Sequence, residues 1–285
     1  MPAYIQENVP LAPYTTFRLG GPARYFLNAR TVEDVVTGVK FALSRNLKVL
    51  PLGAGSDVLI PDSGFDGLVI RLVGLRGTKV EGNRVYLKAG EPLPAVARAM
   101  AERGLSGFEY VVGVPGTVGG GVAKNAGAHG REIKDVLREA YVVNGEGYVR
   151  TLKREDLKLA YRTSSLPDVG ILVEASFVLE EDDPRTIKGR IEEFLSYRER
   201  SQPWTERTAG CMFKNPPGDY AGRLIDLAGL KGFRVGGVKV SEKHANFFIN
   251  EGGTADDAIR LIDYVRERVR EVFGIELEVE IEIVR

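Results

Sequence analysis

The run Gly113-Val114-Pro115-Gly116-Thr117-Val118-Gly119-Gly120-Gly121-Val122-Ala123-Lys124-Asn125-Ala126-Gly127-Ala128-His129-Gly130 limits what this chain can fold into more than any other feature. Nine of the 34 glycines fall between Gly104 and Gly130. No element longer than a turn or a single helix can be sustained through such a run. Ordering it costs unusually much conformational entropy, so a bound group is expected to offset that cost. The interleaved Val114, Val118, Val122 and Ala126 are expected to be buried, which argues against a mobile surface loop. Small residues let main-chain amides reach both phosphate oxygens and ring edges, which suits a large flat cofactor carrying a pyrophosphate. The run lacks the Gly-Lys-Ser/Thr ending of a P-loop, which argues against an NTPase.

The rest of the composition narrows the class by exclusion. Lys+Arg and Asp+Glu balance at 39 each, so nothing favours a nucleic-acid or membrane-surface partner, which usually brings a basic excess. An anionic ligand must then be held by local groups. Cys211 is the only cysteine and His129 and His244 the only histidines; an intrachain disulfide is excluded and a Cys/His metal cage is not expected. The opening residues Met1 to Asn8 show no basic segment followed by an apolar run, and no stretch approaches the roughly 20 apolar residues that span a bilayer. A cytoplasmic protein is expected. No obligatory protein partner is inferred.

Periodicity gives a mixture of hairpins and helices, hence an α+β fold rather than a doubly wound parallel sheet. Thr31 with Asp34 resembles a capping box opening a helix to Asn46, with Val35, Val36, Val39, Ala42 and Leu43 on one face. Residues 48–52 and 67–73 read as strands, and 79–88 as a hairpin turning at Gly82-Asn83. Residues 93–103 read as a helix closed by Gly104. A second hairpin over 140–150 is expected to turn at Asn144-Gly145. After a strand over 171–179, Asp183-Pro184 starts a helix with Ile187, Ile191, Phe194 and Leu195 inward. The last hundred residues read as a separate α+β unit: a helix over 221–228, a strand over 245–249, and a long helix capped by Thr254 and Asp257, with Ile259, Ile262, Val265, Val269 and Val272 on its apolar face and Gly274 at its end. The final strand alternates Ile275, Leu277, Val279, Ile281 and Ile283 against Glu276, Glu278, Glu280 and Glu282.

Besides the glycine run, two segments carry chemistry. Gly53-Ala54-Gly55-Ser56-Asp57 follows a strand and could bring N–H groups and a hydroxyl to an anion, or simply form a tight turn. It is not the Rossmann fingerprint, because the third glycine is missing. Cys211 sits in Ala209-Gly210-Cys211-Met212-Phe213-Lys214-Asn215-Pro216-Pro217-Gly218, as a small buried hydrophobe or as an acid. Arg162, in Tyr161-Arg162-Thr163-Ser164-Ser165, reads equally as a surface arginine.

Together these segments resemble the UDP-N-acetylenolpyruvoylglucosamine reductases, the MurB family. The resemblance begins at Thr16-Phe17-Arg18-Leu19-Gly20-Gly21-Pro22-Ala23 and runs through Gly53-Ala54-Gly55-Ser56, Gly113 to Gly130, Tyr161-Arg162 with Ser164, and Phe213-Lys214-Asn215-Pro216. It continues through Ala228 to Gly232 and Val240 to Asn246, and closes on Leu277-Glu278-Val279-Glu280. It implies a two-lobed FAD-binding region of the vanillyl-alcohol-oxidase (PCMH) type over residues 1–75 and 76–200. A C-terminal α+β substrate domain would follow over 201–285, with the last strand possible as a return to the FAD region. The implied reaction uses NADPH to reduce non-covalent FAD, then passes hydride to the enolpyruvyl group of a UDP-sugar. The product is UDP-N-acetylmuramate, a peptidoglycan precursor.

The resemblance further implies site residues. Gly53, Ala54, Gly55, Ser56, Asp57, Pro115, Gly116, Thr117, Gly119, Gly120, Asn125 and Gly127 would hold FAD. Arg162 would bind the substrate carboxylate and the charge that develops beside it. Cys211, at a position usually serine in the family, would protonate carbon 2; a thiol near its ordinary pKa of about 8.5 is mostly protonated at neutral pH. Glu280 would have to be protonated or water-bridged to help the enolate, which burial favours. Lys214, Asn215, Arg223 and His244 would meet the diphosphate and sugar. Asp57 stands where asparagine is common, and Lys124 and His129 replace the usual methionine and tyrosine. The chain lacks the inserted segment of the long form, so it resembles the short form. The rival expectations are another flavoprotein of the superfamily acting on a small hydroxy acid or alcohol, and a flavin- or nucleotide-binding module without turnover.

Overall fold

A computed structural model describes residues 4–285; Met1 to Ala3, where the reading of a leaderless start begins, lie outside the described residues. The chain divides into two compact units, each discontinuous in sequence. The first takes in the chain through Glu7, Tyr25–Ala54 and Asp66–Tyr197; the second takes in Asn8–Arg24, Gly55–Phe65 and Arg198–Arg285. Each unit encloses its own apolar core.

In the first unit, a five-stranded sheet runs in the order Val149–Lys153, Leu137–Val143, Ile171–Val178, Arg84–Lys88, Thr78–Glu81. Every neighbouring pair in it is antiparallel. Alternation decides its faces: Val85 and Leu87 are buried, whereas Arg84, Tyr86 and Lys88 between them are half-buried. The polar face is laced by cross-strand ion pairs, Lys88 with Glu174 at 2.7 Å and Arg84 with Glu139. The helix Val118–Ala123, formed within the glycine run, packs on the central strands Ile171–Val178 and Arg84–Lys88. A second sheet contains the parallel pair Lys48–Leu52 and Phe65–Arg71. The helix Val32–Leu43 opens at Thr31, whose hydroxyl accepts the Asp34 N–H while the Asp34 carboxylate accepts the Thr31 N–H. Val35, Val39 and Ala42 point inward as expected, but Leu43 is 59% exposed, because it lies at the helix end past the packed turn.

The hairpin at Gly82-Asn83 forms in the expected register, with Glu81 opposite Arg84. The next hairpin turns differently from the expectation. Val143 pairs with Val149, leaving a five-residue loop in which the Asn144 side-chain oxygen accepts the N–H groups of Glu146 and Tyr148. The positive φ falls on Gly147, not Gly145. An Asx-type turn has displaced the two-residue Asn-Gly turn.

In the second unit, the helices Ala221–Leu227 and Ala255–Phe273 accompany a three-stranded antiparallel sheet, Arg234–Val235, Val238–Val240 and Phe248–Asn250. The last strand lies slightly beyond the expected 245–249. Ile262, Val265 and Val269 are buried with Leu261 and Ala258, while Val272 is largely exposed near the helix end. The carboxylate of Asp62 accepts the N–H groups of Ala255 and Asp256, each at 3.0 Å, which ties Gly55–Phe65 to this unit. The C-terminal segment keeps its alternation in burial but is not one continuous strand. Glu278 and Glu280 pair through their main chains with Lys214 and Met212, after which Glu282 and Val284 pair with Asp57 and Leu59. Among the described residues, no helix is long and apolar enough to cross a membrane, and no group of His, Cys, Asp and Glu could hold a metal ion.

Candidate active site

The glycine run, Gly53, Ala54 and Arg162 belong to the first unit; Gly55, Ser56, Asp57, Cys211, Lys214, Asn215, Arg223, His244 and Glu280 belong to the second. Val118 and Val122 are fully buried, and Val114 and Ala126 partly so, which anchors the run against the sheet. The main-chain N–H groups of Val118 and Gly119 donate to the carbonyls of Glu91 and Ala89, each at 2.9 Å. Pro115 and Gly120 face outward, with open space where a Gly120 side chain would stand.

Two observations test whether these residues suit FAD. The Thr117 hydroxyl is buried, at 3% residue exposure, and has no hydrogen-bond partner among the described residues. Leaving a buried hydroxyl unpaired costs about 1–3 kcal/mol, which a ligand could recover. Beside it, a Cβ on Gly53 would stand 2.7 Å from that same oxygen. A side chain at position 53 would crowd that hydroxyl, so glycine lets the end of strand Lys48–Leu52 lie beside it. The residues therefore fit a polar ligand laid along this loop, as the pyrophosphate or ribityl portion of FAD would be. In the second unit, Gly55 has φ +66°, and its Cβ would lie 2.3 Å from the carbonyl of Tyr14.

Asn125, expected to hold FAD, is fully buried and its amide is spent inside the protein. It donates to the carbonyl of Ala160 and to Glu132, and accepts the N–H of Lys134. Gly127 contributes its carbonyl to the Arg162 guanidinium, Nη1 to O at 2.7 Å. Arg162 itself occupies a left-handed backbone position, φ +58°, in a turn closed by reciprocal main-chain bonds between Ala160 and Thr163. The Ser164 hydroxyl donates to the carbonyl of Ala123 at the end of the glycine-run helix, 2.7 Å away.

In the second unit, Cys211 bridges to Phe247 on one side of its strand segment. On the other side, the Glu280 N–H donates to the carbonyl of Met212, at 2.8 Å. Cys211 and Glu280 thus lie on adjacent short segments, one residue apart in register. Asn246, buried, holds this arrangement by bonding both the N–H and the carbonyl of Phe213. Glu280 is half-buried, whereas Glu276, Glu278 and Glu282 are exposed, so it alone departs from the solvated face.

The four expected substrate contacts have partners of their own. Lys214 pairs with Glu278 at 2.6 Å, and the Asn215 oxygen accepts the N–H of Ala221 at the start of its helix. Arg223 Nε and Nη2 donate to the Asp219 carboxylate at 3.0 and 3.1 Å. His244 Nδ1 accepts the Asn246 N–H, and burial pushes its pKa below the ordinary value, with Lys231 adding to the effect. Arg198 escaped the sequence reading. Arg198 is half-buried; burial lowers its guanidinium pKa, and the charge interaction with Cys211 acts in the opposite direction. Its signal in the sequence was only one more basic residue near a helix end.

Comparisons with known proteins show the family. Residues 23–153 match the family model of the FAD binding domain. Residues 202–284 match that of the UDP-N-acetylenolpyruvoylglucosamine reductase C-terminal domain. The reductase of that name from Rubrobacter xylanophilus is 44% identical over 279 residues, covering 96% of this chain and 93% of that protein. The crystal structure of the Thermus caldophilus reductase superposes with a TM-score of 0.87 at 36% identity, covering 99% of this chain and all of that one. A Phl p 4 variant described as a glucose oxidase shares the fold over 65% of this chain, with a TM-score of 0.50 at 15% identity and 42% of its own length covered. An α+β chain that holds a flavin-type glycine loop and matches such reductases from end to end belongs to the UDP-N-acetylenolpyruvoylglucosamine reductase family.

Proposed function

We propose that this chain uses NADPH to reduce the enolpyruvyl group of UDP-N-acetylglucosamine enolpyruvate, with non-covalent FAD, and so forms UDP-N-acetylmuramate for peptidoglycan synthesis. The observation that carries this reading is the end-to-end match to the Thermus caldophilus reductase structure. When bound, FAD supplies the two-electron redox chemistry that links NADPH to the double bond. Residues 1–75 and 76–200 would form the two lobes that hold it and residues 201–285 the substrate domain; the separate family matches to 23–153 and 202–284 support the boundary near residue 200. Gly53, Ala54, Gly55, Ser56, Asp57, Pro115, Gly116, Thr117, Gly119, Gly120 and Gly127 would line the flavin. A cytoplasmic location follows from its nucleotide substrates.

Hydride addition at carbon 3 leaves negative charge over carbon 2 and the adjoining carboxylate. Arg162 would bind that carboxylate through its planar fork, which a lysine ammonium cannot imitate. The Cys211 thiol would give its proton to carbon 2 and recover one from water, with the Arg198 charge favouring the transient thiolate. Glu280 would assist from the neighbouring segment, as the acid form or through water. Lys214, Asn215, Arg223 and His244 would adjust toward the diphosphate and sugar, exchanging internal partners for substrate.

Anaerobic single-turnover kinetics test the reading. NADPH should bleach the flavin and the enolpyruvyl sugar should restore its colour, with one equivalent of UDP-N-acetylmuramate formed. Reoxidation only by oxygen would favour the oxidase alternative. Colour that stays with the chain after denaturation would point the same way, because this reading requires a non-covalent flavin.

A further inference from the structure

We infer that Asn125 is a positioning residue for Arg162 rather than a flavin contact, an inference that rests on the proposed role of Arg162. The turn carrying Arg162 holds a non-glycine residue at φ +58°, a conformation costing about 1–2 kcal/mol that persists only where surroundings impose it. The surroundings here are specific. The carbonyl of Ala160 closes the turn by accepting the Thr163 N–H at 3.2 Å, and the same oxygen accepts Asn125 Nδ2 at 3.0 Å. Asn125 Nδ2 also donates to Glu132 Oε2 at 3.1 Å, and its Oδ1 accepts the Lys134 N–H at 2.9 Å. Glu132 is in turn paired with the Lys134 side chain. One fully buried amide thereby joins the base of the Arg162 turn to the strand Arg131–Glu132 that lies antiparallel to Gly127–Ala128. Gly127 supplies the carbonyl that holds the guanidinium. The backbone of Arg162 and its side chain are therefore fixed from the same network, and Asn125 is the group that connects them.

Aspartate at this position tests the connection at nearly constant shape. Asn125→Asp keeps the acceptor for the Lys134 N–H but turns the donor toward Ala160 and Glu132 into a third acceptor. Flavin reoxidation by the UDP-sugar should slow by about 10- to 100-fold, the scale set by small misplacements of a catalytic group. FAD retention and flavin reduction by NADPH should stay within about twofold of wild type, since Asn125 acts through Arg162 and not on the flavin. Glu132→Gln added to Asn125→Asp returns a donor to the pair and should restore at least part of the reoxidation rate, while Glu132→Gln alone stays near wild type. Asn125→Ser, whose short hydroxyl adds no charge but cannot reach Ala160, Glu132 and the Lys134 N–H together, should slow reoxidation less and serves if the aspartate variant does not fold. Parallel losses in FAD retention, both half-reactions and melting temperature, with no rescue, would mean a merely structural role and overturn the inference. Arg162→Lys is measured alongside. Slow reoxidation there with wild-type reoxidation in Asn125→Asp overturns the clamp alone; wild-type reoxidation in Arg162→Lys removes Arg162 from the site and the clamp with it.

Discussion

Cys211→Ala should leave NADPH-driven flavin reduction near normal and slow reoxidation by substrate about 10²- to 10⁴-fold, the usual contribution of a positioned general acid. Stopped-flow absorbance resolves the two steps, and equal losses in both would count against the acid role. Cys211→Ser keeps a transferable proton at the same place and should lose far less. A second residue-scale prediction concerns His244, whose pKa burial holds below its ordinary 6.5. A base with a depressed folded pKa stabilises the fold above its unfolded value and loses that contribution as pH falls through the folded one. Melting temperature should therefore decline as pH drops below about 6.5, above the range where carboxylates titrate. His244→Gln should flatten that slope relative to wild type; an unchanged slope would assign it to other groups. Both residues were visible as residue types, but neither their partners nor their burial could be read. Cys211 gains its neighbours from segments beginning near Phe247 and Glu280, far away along the chain.

Among the elements, the capping boxes were legible because their signal is local. Thr254 accepts the Asp257 N–H at 3.1 Å, and the Asp257 carboxylate accepts the Thr254 N–H and the N–H of Gly237. Thr254→Ala should cost about 1 kcal/mol, a loss of about 2 °C in melting temperature by calorimetry for a chain of this size. Activity at low temperature should be unchanged. The second hairpin was misplaced because Asn144 could serve either a two-residue turn or a longer loop closed by its own side chain, and local sequence does not rank the two. The last strand was mispictured for a different reason. Alternation every second residue shows which side is buried but says nothing about which chain lies alongside. Here the segment changes partner between Glu280 and Glu282.

At the scale of the whole molecule, a flavin held by the glycine run, whose Thr117 hydroxyl has no hydrogen-bond partner among the described residues, would be part of the energetics of folding. A ligand that binds only the folded state at a hundred times its Kd adds about 2.7 kcal/mol. Stripping FAD should lower the melting temperature by several degrees, and adding it back should restore the loss in a concentration-dependent way. Thr117→Val should weaken that recovery. A melting temperature indifferent to FAD would disconnect the glycine run from the cofactor.

Sequence alone determined the α+β class, the capped helices, the family and the types of residue available for chemistry, because each is written in short-range pattern or in motifs that keep their order. Tertiary structure decided how Asn8–Arg24, Gly55–Phe65 and Arg198–Arg285 make one unit, since burying apolar faces rewards compactness without regard to chain order. It also decided that the Asn125 amide serves Ala160, Glu132 and Lys134. A buried polar group must find partners wherever the fold supplies them, and no spacing in the chain names them beforehand.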